Sequence, residues 1–517
     1  MTERASNQHR KADALPRVHQ SVVHMLADAA ERAGESTAIT FEERRLTYRG
    51  YLRCVAGFAT ELVKLGARKE RVALVCNNSL EMAVATFAAH AAGAQAVPIN
   101  PIYTARELTH ILRDSEPTVI IYDASTAATV EPLVEKLGVP HSIRIGGSDG
   151  RRLDGWRDDA GAELPKPLPS PGDFANLLYT GGTTGEPKGV NITHGQIAVN
   201  ISQREALLPT RFNAERVLCI MPLFHVFATA MCLHLTTYCC GHLFVLPRYR
   251  PDLMLDALEK ERITILPAGP TVFIGLMGYE GFAQRDFSSL RVCYSGSAPL
   301  PAETLKRWQE LTGCRVLEGY GQTESGPVLT FVPERGVIKP GFAGVPVPLT
   351  EIQIVDVETG TKLLPVGEMG EVRARGPQIM SSYRNRPQET AEALRDGWLY
   401  TGDIGFFEPG GYLAIRDRKK DMAIVGGFNV YTREIDEVLY AHPAVAEAAS
   451  VGVPDPYRGE IVKAWVALKP GMTTTVEALA GHCRENLAKY KLPAAIEIVS
   501  AIPKTPVGKI DKKALRG

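Results

Sequence analysis

The sequence predicts an α/β protein, with a large N-terminal domain of helix-covered β-sheet subdomains and a small α+β C-terminal domain. Three observations carry this. Helical and strand patterns alternate through the first third of the chain, which builds parallel sheets covered by helices. A long charge-free stretch, residues 217–245, is broken by proline, glycine and three histidines, as a buried α/β core requires. A charged run at residues 416–421 then sets off about 100 residues with a strand and helix pattern of their own. The boundary is placed between residues 416 and 417, giving domains 1–416 and 417–517 of a 517-residue chain, which is too long for one ordinary domain.

Taken in order, Leu52, Val55, Ala59, Leu62 and Val63 follow helical spacing and Gly66 can end that helix. Residues 72–76 form a compact apolar strand, and Ser79 can cap the helix that follows. Residues 96–99 read as strand, Thr104 with Glu107 as a capping box, and residues 118–122 as a further apolar strand. Residues 161–173, rich in proline and small side chains, connect two subdomains. Within the charge-free stretch, VLCIM and LFVLP read as short buried strands flanking a helix, so a membrane span is rejected.

Acidic and basic residues balance at 58 each, which leaves no net field to draw nucleic acid or an anionic membrane. The nine cysteines lack metal-ligand spacing and are odd in number, so neither a zinc site nor a disulfide framework is expected. The polar, basic first 20 residues have no apolar core of a secretory signal. A cytoplasmic protein without a transmembrane segment is expected, and a homodimer is left open.

Two segments carry chemistry by residue type. In YTGGTTGEPKGV, residues 179–190, Gly181 and Gly182 let backbone amides approach an anion. Thr180, Thr183 and Thr184 add hydroxyl donors there and Lys188 a positive charge. This is a polyphosphate cradle of a kind distinct from the P-loop, because Lys188 follows a proline and precedes a glycine. In GYGQTES, residues 319–325, Tyr320 suits stacking on a base, Thr323 donation to a phosphate oxygen, and Glu324 a magnesium ion. The plain alternatives, a simple Gly/Thr turn and a strand-to-helix turn with an exposed acid, are not removed by either segment alone.

With LYTGDIG (residues 399–405), RDRKKDMAIVGGFNVYTREID (416–436) and PKTPVGKIDKKALR (503–516), these segments resemble the adenylate-forming superfamily from about residue 20 onward. That superfamily comprises acyl- and aryl-CoA synthetases, peptide-synthetase adenylation domains and beetle luciferases. The resemblance implies that the loop from Thr180 to Lys188 holds the β- and γ-phosphates of ATP, that Tyr320 and Gly321 lie at the adenine, and that Glu324 binds Mg2+. It further implies that Asp403 and Arg418 contact the ribose and that Lys420 lies at a hinge about which the C-terminal domain moves. Lys509 would reach both the substrate carboxylate and the α-phosphate. Val507 stands where many relatives have serine, which puts a local hydrogen bond in question but not the lysine. After rotation, the loop with Gly426 and Gly427 would line the tunnel for coenzyme A.

The same resemblance places the acyl pocket at His225, Phe227, Met231, Gly296, Gly319 and Gly321, with His225 either a gate near the carboxylate or a satisfied core histidine. These residues describe an apolar slot. The absence of any acidic residue between Arg216 and Arg248 argues against an amino-acid substrate, whose ammonium would be buried unpaired. The expectation is an ATP-dependent acid:CoA ligase for a hydrophobic, medium- or long-chain fatty acid. An aryl acid, or transfer to a carrier protein in place of CoA, is the alternative.

Overall fold

The structure is a computed structural model that describes residues 15–146, 153–180, 187–426, 428–505 and 509–516. Gly181, Gly182, Thr183, Thr184, Gly427 and Val507 lie outside the described residues.

Among the described residues two large sheets form the body. One has seven strands in the spatial order Ser382–Tyr383, Lys188–Thr193, Phe174–Thr180, Gln95–Pro98, Arg71–Val75, Val119–Asp123 and His141–Ile145. Its pairings from Phe174–Thr180 to His141–Ile145 are parallel, and those to the other two strands antiparallel. The other sheet has nine strands, and its middle, from Arg315–Gly321 through Arg216–Cys219 to Thr37–Phe41, is likewise parallel. Among the helices between these strands, Ala105–Ser115 is buried along one stripe and Leu80–Ala91 on every residue. Ser79 caps that helix by accepting from the Met82 amide, and Thr104 with Glu107 forms a complete capping box, as their spacing predicts.

The charge-free stretch folds as the strands Arg216–Cys219 and His242–Val245 around a helical segment, Val226–Tyr238, whose middle Thr229–His234 is wound as a π-helix. No helix among the described residues is long and apolar enough to cross a membrane.

A third sheet, which the alternation rule does not foresee, is antiparallel throughout: Glu351–Val355, Gly370–Arg375, Trp398–Phe407, Leu394–Arg395 and Leu413–Arg418. Several connections here are too short for a helical crossover, so neighbouring strands fold back on each other. Its strand Leu413–Arg418 pairs with Trp398–Phe407 as far as Arg418 opposite Asp403. The next sheet begins at Ala423, and has its own apolar core of Ala423, Val430, Ile435, Leu439, Val466 and Leu479, among others. All nine cysteines are free and buried.

Candidate active site

Four chain segments meet at one place. Thr180 ends the strand Phe174–Thr180, and the antiparallel register sets it opposite Lys188, so the two described ends of the Gly/Thr loop stand side by side. The Lys188 ammonium lies 5.2 Å from the centre of the Tyr383 ring, and the Tyr383 hydroxyl donates to Glu324 at 2.9 Å. The phosphate-cradle motif and the GYGQTES motif are therefore joined through Tyr383. Sequence reasoning missed this residue, because the short strand Ser382–Tyr383 reaches the site only by pairing with Lys188–Thr193.

Thr323 and Glu324 occupy a single tight turn, Thr323–Ser325, which the Ser325 hydroxyl closes by accepting from the Gln322 amide. Met380 donates its amide to the Glu324 carbonyl at 2.9 Å, so the turn is held from both sides. Tyr320 donates its hydroxyl to Asp403 at 2.6 Å, and Arg418 completes the group with Nε 3.2 Å from the other Asp403 oxygen. Asp403 is buried, and that burial raises its carboxyl above the usual range while the Arg418 charge opposes the rise. Lys420 is exposed just beyond this strand.

Lys509 faces this cluster from the C-terminal part of the chain. Burial and the neighbouring Arg418 pull its ammonium down to about 8, while Asp403 and Glu324 favour the charged form. His225 accepts from the Phe227 amide through Nδ1 at 3.2 Å and so caps a helical turn. Burial, then the Lys509 charge, lower it to about 3, so it is a neutral imidazole at physiological pH. Lys509 is thus within electrostatic reach of Asp403, Arg418, Glu324 and His225, of which Asp403 and Arg418 share the third sheet, Glu324 lies in a tight turn and His225 caps a helix.

Beside Thr323 lies a narrow cavity that opens to solvent. Its lining combines apolar side chains, among them Leu178, Ile192, Ile201 and Val226, with polar ones such as Asn176 and Asn200. Asn200 ties the helix His194–Leu207 to Val328, another lining residue: its side chain donates to the Val328 carbonyl at 2.9 Å and accepts from the Val328 amide at 3.0 Å. The segment Val226–Tyr238 contributes one face to this cavity. Val226, Thr229, Ala230 and His234 point into it, whereas Phe227 and Met231, four apart on the helix, are packed in the core. Phe227 packs over Gly296, where a Cβ would lie 2.9 Å from its ring, and Gly319 lies under Phe331 in the same manner at 2.3 Å. Gly321 has the Pro327 carbonyl against it, and Gly426 takes the left-handed conformation at the turn after Ala423–Val425.

The profile of the AMP-binding enzyme family matches residues 26–384, and that of the AMP-binding enzyme C-terminal domain matches residues 434–509. A long-chain-fatty-acid–CoA ligase of Bacillus subtilis is 36% identical over 533 residues, covering 97% of this chain and 95% of that protein. Among solved structures, the anthranilate CoA ligase AuaEII in complex with anthranoyl-AMP superposes with a TM-score of 0.90 at 30% identity, covering 98% of each chain. ATP-bound MatB from Rhodopseudomonas palustris superposes at 0.89 and 31% identity, covering 96% of this chain and 98% of that one. A fold shared along nearly the whole chain, and family matches on both sides of the cluster around Asp403 and Arg418, leave one assignment: the chain belongs to the AMP-binding enzyme family of adenylate-forming enzymes.

Proposed function

We propose that the protein is an AMP-forming acyl-CoA synthetase that activates a hydrophobic, medium- or long-chain fatty acid. The observation that carries this reading is the Lys509 ammonium within electrostatic reach of Asp403, Arg418 and Glu324, with Thr323, next to Glu324, lining the cavity. In the first step a carboxylate oxygen attacks the α-phosphorus of ATP and pyrophosphate leaves, giving the acyl-adenylate. Two anions must approach for this, and Lys509 offsets the charge that builds up between them. Lys188 and the Gly/Thr loop hold the outgoing phosphates. Tyr320 packs on the adenine with its hydroxyl anchored to Asp403, and Asp403 with Arg418 takes the ribose. His225, neutral, borders the carboxylate without adding charge.

Glu324 and Thr323 offer a carboxylate and a hydroxyl, an oxygen set that suits Mg2+. One carboxylate is sufficient for an ion that arrives on the nucleotide phosphates and keeps most of its shell there. When bound, the ion neutralises phosphate charge. In the second step the CoA thiol attacks the acyl carbonyl, a thioester forms and AMP leaves. Lys509 must make way for the thiol, and the family resemblance puts the hinge for that movement at Lys420, just after the strand ending at Arg418. Gly426 and Gly427 then come to the CoA tunnel as the small domain, residues 417–517, turns. The nine free, buried thiols support a cytoplasmic setting.

The test is pyrophosphate release with ATP and Mg2+ over fatty, aryl and amino acids, each with and without CoA. Sustained turnover that needs both a fatty acid and CoA is expected. Release indifferent to CoA would replace the reading by transfer to a carrier protein, and preference for an aryl acid would correct the substrate.

A second expectation concerns pH. Lys509 must be charged to act, and its ammonium lies near 8, so kcat/KM for adenylate formation falls as pH rises through that value. Lys509→Arg keeps the charge at all accessible pH. Whatever activity that variant retains should lack the alkaline limb, and an unchanged limb would assign it to another group.

A further inference from the structure

The cavity beside Thr323 contains a cation that its apolar walls do not explain. Arg204, on the helix His194–Leu207, is 2% exposed and lines the cavity. Its Nη2 donates to Glu205 at 3.0 Å, but Nε and Nη1 have no hydrogen-bond partner among the described residues. His234, buried on the π-helical turn and lining the same cavity, likewise has Nε2 without a partner. A guanidinium buried with two idle donors is costly, because each has given up water without a replacement. Leu178, Ile192 and Ile201 line the same cavity without an acceptor, and the Asn176 and Asn200 side-chain oxygens that also line it already accept from His90 Nε2 and the Val328 amide.

The same cavity is lined by Thr323 and Val226, the immediate neighbours of Glu324 and His225. A chain that enters with its carboxylate at the adenylating cluster therefore runs along the cavity that Arg204 lines. We propose that the preferred acid carries an uncharged oxygen acceptor, a hydroxyl, keto or ether oxygen, toward its far end, which accepts from Nε and Nη1 of Arg204. The inference rests on the ligase reading of this site and narrows its substrate class to oxygenated fatty acids.

Charge balance selects an uncharged oxygen over a second carboxylate. Glu205 already pairs with Arg204, and its other oxygen is taken by the Thr210 amide at 2.6 Å and hydroxyl at 2.8 Å. His234 is held neutral by burial, lowered to about 3, so it adds no positive charge. A terminal carboxylate would leave two buried anions facing one cation. A plain alkyl end would leave both Arg204 donors unpaired, and a site built for a hydrogen bond rejects such an analogue strongly.

The experiment compares kcat/KM of the full-length enzyme, with ATP, Mg2+ and CoA, on matched sets of acids from short to long chains. Each set contains the plain acid, its ω-hydroxy or oxo form, and its ω-carboxy form. The oxygenated acid of the best-fitting length should be preferred over both partners by at least about tenfold. Arg204→Met, which keeps the length and removes the donors, should abolish or reverse that preference, and Arg204→Lys should retain only part of it. Should Arg204→Met fail to fold, the wild-type ranking and Arg204→Lys still decide. Plain or ω-carboxy acids preferred by the wild type, or a preference untouched by Arg204→Met, would overturn the proposal and leave the ligase reading standing. No CoA-dependent turnover with any acid would overturn the ligase reading, and this one with it.

Discussion

Lys509→Ala should reduce acyl-adenylate formation by about 100- to 1,000-fold, the loss seen when one positioned donor is removed from a developing negative charge. Transfer of the acyl group from supplied acyl-AMP to CoA should stay near the wild-type rate. The asymmetry follows from geometry. The ammonium faces Asp403, Arg418 and Glu324, the side chains assigned to the nucleotide, and nothing about thiol attack on a finished adenylate requires a cation there. The loss should fall on kcat for adenylation more than on KM, because the interaction is strongest when charge is concentrated. Pyrophosphate exchange and thioester formation from synthetic acyl-AMP, measured on the same preparation, separate the steps. Equal loss in both would show that Lys509 holds the domain arrangement and not the reacting charge.

How much of this was legible in the sequence depended on the range of the interaction. Ser79 and the Thr104–Glu107 box are local and can be read from three or four residues. The parallel strands around Arg71–Val75 follow from alternation, which repeats often enough to be read. The third sheet was not legible, because the pairing of Gly370–Arg375 with Trp398–Phe407 is not marked by the regular helix and strand alternation that reveals the parallel sheets. The chemistry-bearing residues were legible only in concert: Asp403 alone is an ordinary carboxylate, and its hydrogen bond from Tyr320 joins two motifs 83 positions apart.

Arg204 illustrates the reverse failure. The run of Asn200, Ser202, Gln203, Arg204 and Glu205 has the composition of a solvated helix face, yet all five are buried. Three are taken up by remote groups, Asn200 by Val328, Ser202 by the Pro16 carbonyl and Gln203 by the Pro348 carbonyl, while Arg204 and Glu205 pair with each other. Polarity in the sequence marks a need for hydrogen bonds and does not say whether water or protein will meet it. The same blindness hid the face of the segment Val226–Tyr238 that lines the cavity, since a π-helical turn shifts which side chains share a side.

Gly321→Ala should destabilise the protein by about 1–3 kcal/mol, the usual cost of forcing atoms into a packed site, and lower adenylation as well. The sequence singled this glycine out for closeness to nucleotide and acyl group, and the structure adds a backbone reason. A Cβ at this position would sit 1.7 Å from the Pro327 carbonyl oxygen and 3.1 Å from the Leu329 amide nitrogen. Those atoms belong to main chain and cannot rotate away, so the strand Arg315–Gly321 must move from Val328–Phe331. That movement acts on the turn between them, Thr323–Ser325, and therefore on the Glu324 carboxylate and its bond from Tyr383. Because Asn200 ties Val328 to the cavity wall, the acid's kcat/KM should fall together with that for ATP. A lowered thermal midpoint with both effects is the expected result. Loss of ATP use at an unchanged midpoint would mean that Gly321 matters only for room at the nucleotide, and that the strand pair tolerates the added methyl.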